Sequence, residues 1–423
     1  MRVLPPTTQP ELGLTMTVQI KSPLRPIVAE HIARIKPFVP GRPISAVKRE
    51  LGLSRVTKLA SNENPMGPSP RARAALGAAL DDLNRYPDAG HFDLRAALAE
   101  HTGVDAASIS PGNGTTELIS LLIKAFVLPG TEVLTSASTF VAYKLGANVA
   151  DRKIVEVPLG PDNGYDLGAM ARAVTPSTRL IFLANPNNPT GTLLSEQQLK
   201  DFVAAVDARC SDDPPVIVFD EAYIEYVDPS RVPDTLAIQR SRPRTVILRT
   251  FSKAYGLAAV RCGYALATPE LVGHLDRVRS PFNVNALAHA ACIAALADQA
   301  HLQRTRRTNA ELRDSLAQRL TDRGLQVTPS HTNFLLVDVH HDAQVVFEAM
   351  LREGVITRPA TVMGFPTSLR ISVGSARECR LLIQALDTVL DMAPVHEPTW
   401  STWLAKVRPL FARSARWRAS IAS

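Results

Sequence analysis

From about residue 108 to 267, short apolar runs alternate with helix-like stretches, and this alternation limits the possible fold more than any other feature. The runs at 132–135, 153–157, 180–184, 216–219, 246–248 and 264–267 are rich in Val, Ile and Leu and bounded by Gly, Pro or Asn. Short continuous apolar strands separated by helices belong to a mostly parallel sheet covered on both faces. The expected fold is therefore α/β, a large domain built on a doubly wound sheet. After Ser280 the texture changes to an alanine-rich helix from about Ala286, a long charged helix over 304–323, and short strands at 333–337 and 369–373. These predict a smaller α+β domain. The Pro- and Asn-rich stretch 61–70 marks the entrance to the large domain. The expected division is an N-terminal segment 1–60 packing on the smaller domain, a large domain 61–284, a small domain 285–393 and a tail 394–423.

Composition narrows the function classes. With 423 residues, 45% hydrophobic and 21% charged, the chain has the balance of an ordinary globular protein of about two domains. The longest nearly uncharged apolar run, 286–297, falls well short of the roughly 20 residues of a spanning helix. Residues 1–15 carry no continuous apolar core of an export signal. The four cysteines, Cys210, Cys262, Cys292 and Cys379, match no metal or redox spacing, so a reduced cytoplasmic compartment and no metal are expected. Of the net charge of +7, the tail 396–423 contributes +4 through Lys406, Arg408, Arg413, Arg416 and Arg418 against Glu397. The main body has no basic stripe interleaved with aromatics, which argues against nucleic acid as a partner.

Polar clusters follow three of the strand-like runs, at the carboxyl ends where open α/β sheets bind ligands. The run 180–184 leads into Asn-Pro-Asn-Asn-Pro-Thr-Gly at 185–191, the run 216–219 into Asp220-Glu221-Ala222-Tyr223, and the run 246–248 into Arg249-Thr250-Phe251-Ser252-Lys253, with Arg261 beyond. A fourth cluster, Pro-Gly-Asn-Gly-Thr-Thr-Glu at 111–117, opens an apolar helical pattern over 118–127 and would leave backbone N–H groups free to hold a phosphate. Each cluster alone has a plainer reading as a turn, a cap or a solvated lysine. Together they supply an amine able to form a Schiff base, a carboxylate for a pyridine nitrogen, a phenol and an amide for a ring oxygen, and a phosphate cradle. That set is what pyridoxal phosphate requires.

The segment TFSKAYGLAAVRCGYALA around Lys253, with NPNNPTG, DEAY, NRYPD at 84–88 and LRISVG at 369–374, resembles the fold-type I, class I/II aminotransferases. Within them it is most similar to the histidinol-phosphate aminotransferase branch. KLASNENPMGPSP, PFNVN, TNFLLV and GVITRPA stand in the expected order, and the resemblance runs from about Pro37 to Ala385. It implies that Lys253 forms the Schiff base and moves the substrate proton, and that Asp220 pairs with the pyridine N–H. Tyr223 and Asn188 would bond the ring hydroxyl oxygen, and Phe140 would stack on the ring, its plainer role being core packing. Gly114, Thr115, Thr250, Ser252 and Arg261 would hold the cofactor phosphate. Tyr86 would reach that phosphate from a second subunit, which implies a homodimer.

For substrate, the resemblance implies that Arg370 binds an acidic group, with Arg358 nearby and Asn333 orienting it. The substrates would be a small-molecule amine and a 2-oxo acid, histidinol phosphate with 2-oxoglutarate or glutamate. The branch commonly has a tyrosine where this chain has Phe38, whose ring cannot donate a hydrogen bond to a substrate phosphate. An aromatic amino-acid aminotransferase is therefore a second reading, and a phospho-amino-acid decarboxylase on the same fold a third. A cofactor-binding regulator lacks any DNA-binding module before the site, and a nicotinamide enzyme leaves Lys253, Asp220 and Tyr223 without a task. The tail holds all three tryptophans, Trp400, Trp403 and Trp417, with Pro409 interrupting any long helix there.

Overall fold

The computed structural model describes residues 27–37 and 41–391. Phe38 and the tail with its tryptophans lie outside the described residues. The short strand β1 (Thr57–Lys58) precedes seven that form one sheet: β2 (Ile109–Gly112), β3 (Glu132–Ser136), β4 (Lys153–Val157), β5 (Thr178–Ala184), β6 (Val216–Asp220), β7 (Thr245–Thr250) and β8 (Gly263–Leu266). Their order is β2-β8-β7-β6-β5-β3-β4, and only β8 runs against the rest. The middle strands are buried along their whole length because helices cover both faces, which is why they read as unbroken apolar runs. One face packs Leu134, Ile181, Phe219 and Ile247. The other packs Val133, Phe182, Val218 and Leu248 against helix Thr115–Phe126.

The remaining strands are β9 (Gln326–Val327), β10 (Phe334–Asp338), β11 (Val355–Ile356), β12 (Arg358–Pro359) and β13 (Ser368–Ser372). An antiparallel sheet of order β12-β13-β10-β9 carries helices Ala343–Arg352 and Ala376–Asp391 over a separate core of Leu335, Val337, Leu369, Ile371, Leu382 and Leu386. Strand β1 pairs in parallel with β11, and Val47 and Ala60 pack with Leu351 and Ile356, so residues just before 61 join this smaller unit. Farther upstream the chain behaves differently. Helix Glu30–Arg34 lies beside helix Ala142–Val149, where His31 Nδ1 stands 3.7 Å from Asp151.

The structure also moves one expected border. Helix Ala286–Leu296, assigned by texture to the small domain, packs Ala288, Ala291, Cys292 and Ala295 into the large-sheet core beside Leu94, Leu98 and Ile109. Its small side chains allow helices Pro70–Ala78 and Phe92–Thr102 to approach closely. The passage between the two cores is instead the long helix Gln299–Thr321. Its Leu302 rests against the large core, while Leu316 and Leu320 lie in the small one.

Candidate active site

A cavity of about 240 Å³ opens where β5, β6 and β7 end, between the two sheets. Asp220 is the last residue of β6, the central strand, and its carboxylate is buried at the cavity floor. The Tyr143 hydroxyl donates to Asp220 Oδ2 at 2.7 Å, and the Ala222 N–H to Oδ1 at 3.2 Å. Burial pushes the Asp220 carboxyl up to about 6, against those hydrogen bonds. Tyr143 is itself fully buried, stacked on Phe182 at 4.4 Å and 5° between planes, with its hydroxyl held protonated by burial and by Asp220.

Lys253 enters from the loop after β7. The only hydrogen bond of its Nζ among the described residues is a long one, 3.4 Å to the Ser61 carbonyl, and it stands 5.6 Å from the centre of the Tyr223 ring. The loop is fixed by close backbone packing. Gly256, at φ +70°, lies so near Gly67 that an added Cβ would fall 2.3 Å from its carbonyl oxygen. Asn62 Nδ2 donates to the Tyr223 hydroxyl at 2.9 Å, which leaves the phenol's own proton free for another acceptor. In the turn after β5, Asn185 bonds Leu194 and Asn187 bonds Ser138 and Thr190, holding the turn's shape. Asn188 alone of the three faces the cavity, accepting from Arg370 Nη1 at 2.8 Å.

At one end of the cavity, Thr115 and Thr116 begin helix Thr115–Phe126, facing Thr250, Ser252 and Arg261. The first N–H groups of a helix have no intrahelical partner and attract anions. Gly114 has φ +76°, and a Cβ there would sit 2.6 Å from Arg261 Nη2, so only glycine lets the guanidinium close on the helix start. At the other end stands Arg370 of β13. Its Nη2 donates to the Ala60 carbonyl at 2.8 Å, its Nε has no partner among the described residues, and burial draws its pKa down to about 10, with Arg358 adding repulsion.

Most of the expected residues thus meet in one place: Lys253, Asp220, Tyr223, Thr115, Phe140, Asn188, Thr250, Ser252, Arg261 and Arg370 line the cavity, with Gly114 behind Arg261. Phe140 also meets Tyr143 edge-on at 5.7 Å, which gives it a packing role as well. Three residues stand elsewhere. Arg358 pairs in register with Arg370 but lies outside the lining. Asn333 is fully buried, and its Nδ2 donates to the Asn62 carbonyl at 3.0 Å, so it supports the loop beneath the site rather than touching a ligand. Tyr86 is 83% exposed and stacks on Phe282 at 4.7 Å, away from its own chain's cavity. Sequence reasoning missed Tyr143, Ser61, Asn62 and Thr116. For Tyr143 a signal existed, since it lies one helical turn from Phe140.

The fold and this site define a class, and comparison with known proteins agrees. The model of the family "Aminotransferase class I and II" matches residues 54–386, and the chain belongs to that family. It is similar to the histidinol-phosphate aminotransferase of Anaeromyxobacter sp., with 49% identity over 86% of this chain and 99% of that protein. To the enzyme of the same name from Moorella thermoacetica it is 44% identical over 86% of this chain and 93% of that one. Among solved structures, the histidinol-phosphate aminotransferase of Sinorhizobium meliloti in complex with pyridoxal 5'-phosphate matches with TM-score 0.79 and 31% identity, covering 87% of this chain and 99% of that one.

Proposed function

We propose that this aminotransferase uses pyridoxal phosphate to exchange the amino group of histidinol phosphate with 2-oxoglutarate, acting as a homodimer. The observation that carries the reading is an arrangement of charge. One cavity has an anion cradle at one end and the half-buried Arg370, with no carboxylate partner among the described residues, at the other, with Lys253 and Asp220 between them. The residues fit the cofactor. Asp220 is a buried acceptor suited to a ring N–H, Lys253 is an amine without a strong partner, and Gly114 leaves room for Arg261 to close on a phosphate.

When bound, pyridoxal phosphate supplies a carbonyl carbon that takes the amino group and a cationic ring that absorbs the electron pair left on proton removal. Lys253 Nζ would accept the proton from the substrate carbon and return it to the carbon that carried the cofactor's carbonyl. Asp220, oriented by Tyr143, holds the ring nitrogen's proton and is driven toward its anionic form by that cationic partner. Tyr223 keeps its O–H free because Asn62 occupies the oxygen as donor, and Asn188 keeps its NH₂ free because Arg370 occupies its carbonyl. Both can therefore donate to a ring oxygen. Arg370 recognises the substrate's phosphate, or a carboxylate of the keto acid, through paired charged hydrogen bonds. The exposed Tyr86 and Phe282 support a second copy as the partner whose phosphate cradle Tyr86 completes. Four unpaired cysteines suit a reducing cytoplasm.

The test is a single half-reaction. The cofactor-loaded protein is mixed with L-histidinol phosphate and, separately, with L-phenylalanine, and the cofactor absorption band is followed. Conversion to the amine form with histidinol phosphate alone is expected. Conversion with phenylalanine alone would overturn the substrate assignment, and sustained release of carbon dioxide from phenylalanine with no keto acid present would indicate a decarboxylase.

A further inference from the structure

Behind the anion cradle runs a chain of buried and half-buried polar groups that the reaction itself does not use. Glu117 Oε2 accepts the Asn113 N–H at 2.5 Å and Asn283 Nδ2 at 2.8 Å. Asn283 Oδ1 stands 3.1 Å from His91 Nε2, and His91 Nδ1 stands 3.0 Å from His289 Nε2. Burial, with Arg279 nearby, pulls the fully buried His91 down to about 4, so its ring is neutral at physiological pH. A neutral ring has one donor and one acceptor, and one direction then satisfies every member: His289 donates to His91, His91 to Asn283, and Asn283 to Glu117.

The two ends of this chain matter. Asn113 lies in the turn whose Gly114 N–H bonds the Gly112 carbonyl at 2.7 Å, just before the Thr115 and Thr116 amides enter the cavity. At the far end, His91 closes the turn that begins near Tyr86, where Asp88 Oδ1 accepts the Gly90 N–H at 2.8 Å and Arg279 Nη2 donates to the Ala89 carbonyl at 2.8 Å. Asn283 is the neighbour of Phe282, the ring stacked on Tyr86.

We propose that Glu117 and Asn283, backed by His91, are positioning residues for the cofactor's phosphate: they fix the 112–114 turn so that the helix-start amides face the cavity, and they tie that turn to the surface carrying Tyr86. The proposal rests on the function proposed above. Glu117 acts by turning the Asn113 N–H away from the cavity, and a carboxylate fits this task because it accepts from both partners at once without needing a donor of its own.

The experiment titrates the full-length apo-protein with pyridoxal 5'-phosphate and with pyridoxal, which lacks the phosphate, reading the absorption of the bound ligand. Wild type, Glu117→Ala and the milder Asn283→Ser are compared, with apo-protein melting as a check on folding. Both variants are expected to lose about tenfold in affinity for pyridoxal phosphate, the worth of a charged or buried hydrogen bond, and to bind pyridoxal as wild type does. Equal losses for the two ligands, or no loss in a folded variant, would overturn the positioning role. A wild type that binds both ligands equally would instead overturn the phosphate cradle on which the proposal rests.

Discussion

The two ends of the cavity both suit anions, yet they are built on opposite principles. At the Gly114 end the positive charge is spread over backbone amides and the exposed guanidinium of Arg261, which donates only to the Ala258 carbonyl at 3.0 Å. At the Arg370 end a whole cation is half-buried and, among the described residues, donates to neutral acceptors alone, Asn188 and Ala60. The first end owes its shape to the backbone of the fold itself. The second holds a desolvated charge whose cost an incoming anion relieves. A permanent cofactor suits the former and an exchanging substrate the latter.

Substitutions can break that contrast. The largest effect is expected at the centre, where it spares both ends. Lys253→Ala should reduce turnover by a factor of about 10²–10⁴ or more, with phosphate-dependent cofactor binding retained, as stopped-flow and equilibrium titration would read. Arg370→Gln would remove charged hydrogen bonds to the substrate and should raise the KM for histidinol phosphate by about 10–100-fold, with a smaller loss of cofactor affinity through Asn188. Arg261→Gln should do the reverse, lowering cofactor affinity by about tenfold with little change in KM, and a rise in KM instead would erase the division between the ends.

The smallest effect concerns the support beneath. Glu225 has an oxygen without a partner, and burial lifts its carboxyl from 4.5 to about 7. Between those values the folded chain keeps a proton that the unfolded chain has lost, so stability falls as pH rises through the window. Glu225→Gln lacks this slope. Its stability relative to wild type should therefore grow by about 1 kcal/mol from pH 4.5 to 7 in denaturant melts, since the side chain is only half-buried.

How far the sequence was legible follows from the same physics. Strands β5, β6 and β7 could be read because burial on both faces leaves each one a run rich in Val, Ile and Leu. Strand β2 has Ser110 and Pro111 in place of such a run, and it holds the sheet edge, where proline is tolerated. The alanine-rich helix misled because composition does not say which core small side chains fill. At the site, Lys253, Asp220 and Tyr223 could be read since each sits in a short motif at a strand end. Their supports could not, because Asn62 meets Tyr223 across 161 positions and Tyr143 meets Asp220 across 77, distances only the fold can close.

The stretch at 61–63 has one further consequence. The Ser61 carbonyl touches Lys253, the Asn62 side chain holds Tyr223, its N–H donates to Ser372 Oγ at 2.8 Å, and Asn333 grips its carbonyl. Two residues therefore stitch the end of the large sheet to the small one beside the cavity. A cofactor held at Lys253 would tighten the same stitch, so calorimetry of the loaded protein should show one cooperative melting event. Without the ligand, the two cores share fewer restraints, and the trace should broaden or split.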